Sequence, residues 1–189
     1  MRKILLVVVG ALVVVALGLG VFLYVNGHRD KGVAKSATAV PTECQVSQDA
    51  LRQAHTTNPW HFSVPAPDKD GVRRIQCYWQ QTKGEDGVDA RYLGVNISHH
   101  PDAASATNEF TTWSHDAQRV PAIGDEAATR HNPDFDQMTD LEVVAHKGTT
   151  VVRVGLTAAD QGFFSASPTP ADKVQEMASA IARDVLSRA

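Results

Sequence analysis

Any chemistry in this chain would fall to its acidic and histidine residues. Asp134, Asp136 and Asp140 lie close together, with Asp125 and Glu126 upstream. Oxygen-rich groups of this kind hold hard cations. A calcium-binding loop, however, requires a Gly after its third ligand and a Glu at its twelfth position. Counted from Asp134 neither is present, and Ala145 occupies the twelfth place. The eight histidines include His99-His100, adjacent residues at the end of an expected strand, whose side chains should diverge. His115 and His131 belong to other elements and can meet acidic groups only through tertiary folding. There is no His-Glu-x-x-His or Cys-x-x-Cys spacing, so no metal or cofactor is expected. Ser114-His115-Asp116 has the letters of a catalytic triad, but consecutive residues of a helix point about 100° apart and cannot act in series. No nucleophile elbow, phosphate loop or dinucleotide fingerprint is present, and no catalytic residue or enzymatic activity is expected.

A binding site has better candidates. Trp60-His61-Phe62 falls in an expected loop, where Trp60 would be an exposed aromatic. Packing is the plainer role for Trp60, as it is for Trp79 and Trp113. Trp60, His61, Asp125, Asp134 and Asp136 form the candidate ligand set. Gly124 is expected to supply a positive φ in a turn, and Asp125 to cap nearby amides.

These residues stand in a chain with a distinctive start. Met1-Arg2-Lys3 precedes an uncharged apolar run from Ile4 to Val25. As a helix that run reaches roughly 33 Å, against a bilayer core of about 30 Å. It is too long for a usual signal-peptide core, and no cysteine follows it closely enough for lipid attachment at Cys44. Residues 1–26 are therefore expected to be an uncleaved transmembrane anchor with residues 4–25 in the membrane; a cleaved signal ending near Ala39 is the alternative. The Lys and Arg balance across the span is weak. Translocation of so short an N-terminal segment is unusual, so the N-terminus is read as cytoplasmic and the rest as extracytoplasmic at the cell membrane.

From Ser36 onward, 13 Lys and Arg face 20 Asp and Glu, a net charge of −7 against −3 for the whole chain. Such a domain is a poor partner for nucleic acid. Cys44 and Cys77 are the only cysteines. In an oxidising compartment they read as a disulfide, with two free thiols as the alternative.

The elements that must position all this follow from local pattern. Residues 27–42 read as a flexible stalk, and 43–189 as one α+β domain. Ser47 caps a short helix that Asn58-Pro59 ends. Residues 72–82 and 90–98 alternate as a hairpin, with Ile75, Cys77, Trp79, Leu93, Val95 and Ile97 inward. Asp102 caps a helix with an Ala106, Phe110 and Trp113 stripe. A short strand is expected over 126–130. A second hairpin turns at Lys147-Gly148, and a loop spans 158–168. Thr169 is expected to cap the last helix, which buries Val174, Met177, Ile181 and Val185. The expected fold is an antiparallel sheet with helices packed on one face.

Cys44 before a short helix, Ile75-Gln76-Cys77-Tyr78-Trp79, the turn Pro121–Ala127 and the strands around Lys147-Gly148 together resemble one family. It comprises actinobacterial exported lipoproteins and small membrane-anchored proteins of unassigned function, similar in style to the sensor ectodomains of some serine/threonine kinases. The resemblance covers residues 43–187. It implies an exported fold and location and supplies no catalytic residues. This chain lacks the lipidation cysteine and a second cysteine pair.

The expectation is a membrane-anchored extracytoplasmic module that binds an envelope protein or small ligand. With so little chain inside, it would signal only through another membrane protein. The alternatives are an assembly factor of the cell envelope and a hydrolase with an unrecognised site.

Overall fold

A computed structural model of the protein describes residues 2–29, 35, 39–82, 84–132, 138–163 and 165–189. Most of the expected stalk, and Asp134 and Asp136 with it, lie outside the described residues. The apolar run forms α1 (Arg2–Gly27). Its stretch Val8–Gly27 is long and apolar enough to cross a membrane, and none of it is buried within the protein.

A 3₁₀ turn, Thr42–Cys44, leads into α2 (Gln48–Gln53). Ser47 caps α2 as expected, its hydroxyl accepting the Ala50 amide. The strands are β1 (Asn58–Ser63), β2 (Arg73–Gln80), β3 (Ala90–His99), β4 (Gln118–Arg119), β5 (Glu126–Asn132), β6 (Thr139–Lys147), β7 (Thr150–Gln161) and β8 (Ala166–Pro168). Between them lies α3 (Ala103–Ser114), capped by Asp102, and α4 (Ala171–Leu186) closes the chain. Among the described residues the strands make one antiparallel sheet in the order β1-β2-β3-β7-β6-β5-β4, with β8 paired to the end of β7.

Period-two alternation places Ile75, Cys77, Trp79, Leu93, Val95, Ile97, Leu141, Val143, Val152, Val154 and Leu156 on one face, all buried. There α2 and α4 cover them with Leu51, Val174, Ala178, Ile181 and Val185. Cys44 and Cys77 are joined in a disulfide, their Cα atoms 6.0 Å apart, so the segment entering the domain is tied to β2.

The α+β class and the antiparallel sheet match the reading from sequence, but the helices do not share one face. Ala106 and Phe110 of α3 pack on Ala128, Val144 and Val151, which alternate to the opposite side. Three local expectations also give way. Residues 58–63 form an edge strand rather than a loop. An edge strand tolerates Pro59, and the register slips between Pro59 and His61. Residues 158–168, expected as a loop, hold the end of β7 and β8. Thr169 does not cap α4: its hydroxyl donates to Asp160 Oδ1 at 2.7 Å, and Pro170 takes the cap position.

Candidate functional site

Because α3 covers only part of its face, the rest of that face is an open trough. Strand register sets its floor: Gln76 lies opposite Asn96, and Asn96 opposite Arg153. In the next row Tyr78 lies opposite Gly94, and Gly94 opposite Gly155. The Tyr78 ring leans over Gly94, where an added Cβ would come within 3.1 Å of it. Above Gly155 the space is open. Two hollows result. One of about 410 Å³ lies between α3 and the β2–β3 strands, and one of about 480 Å³ lies over Gly155 beside Arg130 and Glu142.

The charged groups here are held in place. The Arg153 guanidinium stacks on Trp113, 3.3 Å from the ring centroid. It donates to Glu142 Oε1 from Nε at 3.0 Å and from a terminal nitrogen at 2.6 Å. Arg130 occupies Glu142 Oε2 at 2.9 Å. At the other end Glu109 accepts from the Ser98 hydroxyl at 2.8 Å and lies 3.5 Å from Arg74. Arg74 also pairs with Asp68. The Val72 amide, followed by Arg74, holds the Asp68 carboxyl below the usual range. His100 Nε2 is 3.1 Å from Glu109 Oε2, near enough for an ion pair but off the line of a hydrogen bond. Ser98, Glu109 and His100 therefore meet, which sequence spacing did not signal. The carboxylate, rather than the imidazole, contacts the hydroxyl, so the order differs from a catalytic triad.

Among the described residues of the expected set, Asp125 lies apart from Trp60 and His61. Trp60 is 61% exposed on β1. His61, beside it, is exposed and stacks on Tyr78 with ring centroids 6.0 Å apart, at the trough's rim. Asp125 lies toward the other edge of the sheet. Its Oδ2 accepts the Gly148 amide at 2.8 Å and its own amide donates to the His146 carbonyl at 2.8 Å, a structural clamp. Gly124 has φ +59°, as expected, and a Cβ there would sit 2.3 Å from the His146 carbonyl oxygen. His99 and His100 diverge: His99 reaches Thr150 at 3.2 Å, while His100 faces Glu109. Burial, with the charges of Arg73 and His100, pushes His99 below the ordinary imidazole range. His115 does pair with Asp116, at 2.8 Å. The helix ends at Ser114 and Asp116 turns to φ +60°, so the two are not successive helical residues. Among the described residues no group of three or more His, Cys, Asp or Glu is placed to hold a metal ion.

Trp113 and Arg153 are the site residues that sequence reading missed. The available signal was apolar residues on both sides of β6 and β7 near Val144 and Val151, which marks a sheet covered on both faces at that spot. Compared with family models, with curated proteins and with solved structures, the chain matches none.

Proposed function

We propose that this protein is a membrane-anchored binding module whose trough receives an extended polar segment of an envelope partner or ligand. The observation that carries the reading is the uncovered sheet face, with its glycine floor and its fixed Trp113–Arg153 stack. Neutral donors and acceptors from Gln76, Asn96 and Thr112 line the same hollow. Arginines already neutralised by Glu142 and Glu109 favour hydrogen bonding and stacking over capture of a bare anion. In this reading α1 crosses the cell membrane, the N-terminus is cytoplasmic and the domain is extracytoplasmic. The disulfide supports that side, since such bonds persist in oxidising compartments. The likeness to exported actinobacterial proteins belongs to the same proposal.

Outside α1, the large apolar side chains exposed among the described residues are Trp60, Tyr92 and Phe163. They form no broad apolar patch, which favours a polar ligand over an assembly surface. The test is site-specific photocrosslinking of the full-length protein in its native membrane. A crosslinking residue at Gln76 should capture an envelope component that one at Arg183, on the opposite face, does not. Equal capture from both positions, or none from Gln76, would reject the trough as the binding site.

A further inference from the structure

We infer that the β7–β8 turn is a second membrane contact: Phe163 enters the lipid on the domain's side of the bilayer that α1 crosses. The inference rests on α1 being the anchor, and it adds a seat for the domain that the anchor alone does not provide.

The turn is built to present an apolar tip. The Gly162 amide donates to the Ser165 carbonyl at 2.9 Å. A Cβ on Gly162 would lie 2.8 Å from that oxygen, so the tight return requires glycine. The sequence places two phenylalanines between them, Phe163 and Phe164. Phe163 is 59% exposed.

Its position relative to α1 names the occupant. The Phe163 ring is 5.0 Å from that of Tyr24 and 6.5 Å from that of His28. With Ala16, Leu17, Gly20, Val21 and Tyr24 it lines an apolar groove of about 400 Å³. The apolar run ends at Val25, so Ala16 lies roughly 13 Å below that end along the helix, at hydrocarbon depth in any bilayer that α1 spans. A side chain level with these residues, and still largely uncovered by protein, meets acyl chains. Tyr24 and His28 mark the interface, where amphipathic rings concentrate.

The base of the turn is rigid. Asp89 Oδ1 accepts the Gln161 amide at 2.8 Å. Arg91, buried, donates to Asp160 at 2.5 Å and to the Ala159 carbonyl at 2.6 Å. Phe163 is thus an extension of two paired strands, and its insertion would fix the tilt of the whole sheet above the membrane.

The test uses the full-length protein in phosphatidylcholine–phosphatidylglycerol vesicles. An environment-sensitive fluorophore is attached to Phe163→Cys, Val21→Cys or Thr149→Cys; the native cysteines are paired and do not react. Thr149 precedes β7 and lies roughly 40 Å along that strand from its far end. The probe at Phe163 should shift to the blue, be quenched by nitroxide-bearing lipids and escape quenching by aqueous iodide. The probe at Thr149 should do the reverse. If Val21 is lipid-quenched while Phe163 behaves like Thr149, the second contact is overturned and the anchor stands. Absence of lipid quenching at Val21 overturns the anchor, and this inference with it. Shielding of Phe163 from iodide without lipid quenching would mean that this chain or a second copy of it covers the groove, and would overturn lipid as its occupant.

Discussion

Replacing Asp86 with alanine should strongly destabilise the domain, because its buried carboxylate satisfies two backbone amides. Asp86 follows a short turn between β2 and β3 and is only 5% exposed. Its Oδ2 accepts the Thr57 amide at 2.8 Å, the Thr82 amide at 2.7 Å and the Thr57 hydroxyl at 3.0 Å. The hydroxyl also contacts Thr82 Oγ1 at 2.7 Å, so it keeps a partner when the carboxylate is gone. The two amides do not. A hydrogen bond to a charged group contributes about 1.5–3 kcal/mol, and a stranded buried donor costs a similar amount. Two such donors give an expected loss of about 3–5 kcal/mol, a large part of the stability of an ordinary domain. Asp86→Asn keeps an oxygen for the amides but not the charge, and should lose about half as much. Equilibrium urea unfolding of residues 39–189 measures both. A loss below about 1 kcal/mol for the alanine variant would mean that water replaces the carboxylate, and the account of a dry, amide-bridged corner would be wrong.

Cys77→Ser should cost roughly 3–4 kcal/mol, because the bond closes a loop with a sequence separation of 33; two titratable thiols in the non-reduced native protein would refute the bridge itself. Gly124→Ala adds a Cβ 2.3 Å from the His146 carbonyl in a left-handed backbone, and should cost about 2–5 kcal/mol; an unchanged melting curve would show that the turn relaxes freely. Asp160 should confer acid sensitivity. Burial pushes its carboxyl up, but hydrogen bonds from Thr169 and Arg91 and the charges of Arg91 and Lys173 bring it below the ordinary 3.8. A depressed folded value stabilises the fold above the unfolded value, and that contribution fades as pH falls through the folded one. Wild type should therefore lose more stability than Arg91→Gln between about pH 4 and pH 2; parallel profiles would remove the pair from the account.

What was legible in the sequence follows from how local each signal is. Ile75, Cys77 and Trp79 alternate, as do Val152, Val154 and Leu156, and a buried face at period two needs no knowledge of the partner strand. The caps at Ser47 and Asp102 are equally local. β1 escaped notice because Pro59 reads as a break, and only its place at the sheet edge makes it tolerable. Thr169 looked like a cap because its competitor, Asp160, is brought to it only by the pairing of β7 with β8. The side chosen by α3 depends on which apolar residues of β6 and β7 remain uncovered by α4. The trough was hidden for the same reason. Trp113 and Arg153 are far apart in sequence, and their stack exists only once α3 has crossed over β7.

The bond between Cys44 and Cys77 also decides how the domain bears a pull. A protein tethered at one end and holding a partner at the other is under tension whenever membrane and partner separate. In the proposed arrangement, force arriving from α1 would reach Cys44 and pass through the sulfurs into β2. Residues 45–76, which include α2 and the edge strand β1, are thereby excluded from the load path. β2 is hydrogen-bonded on both sides, to β1 and to β3, so the load is shared across the ladder instead of peeling an edge. With the bond reduced, the same pull would act first on α2 and β1. In the proposed membrane-bound module, the oxidised domain would hold its trough in shape under strain, and the reduced one would fray from its membrane end.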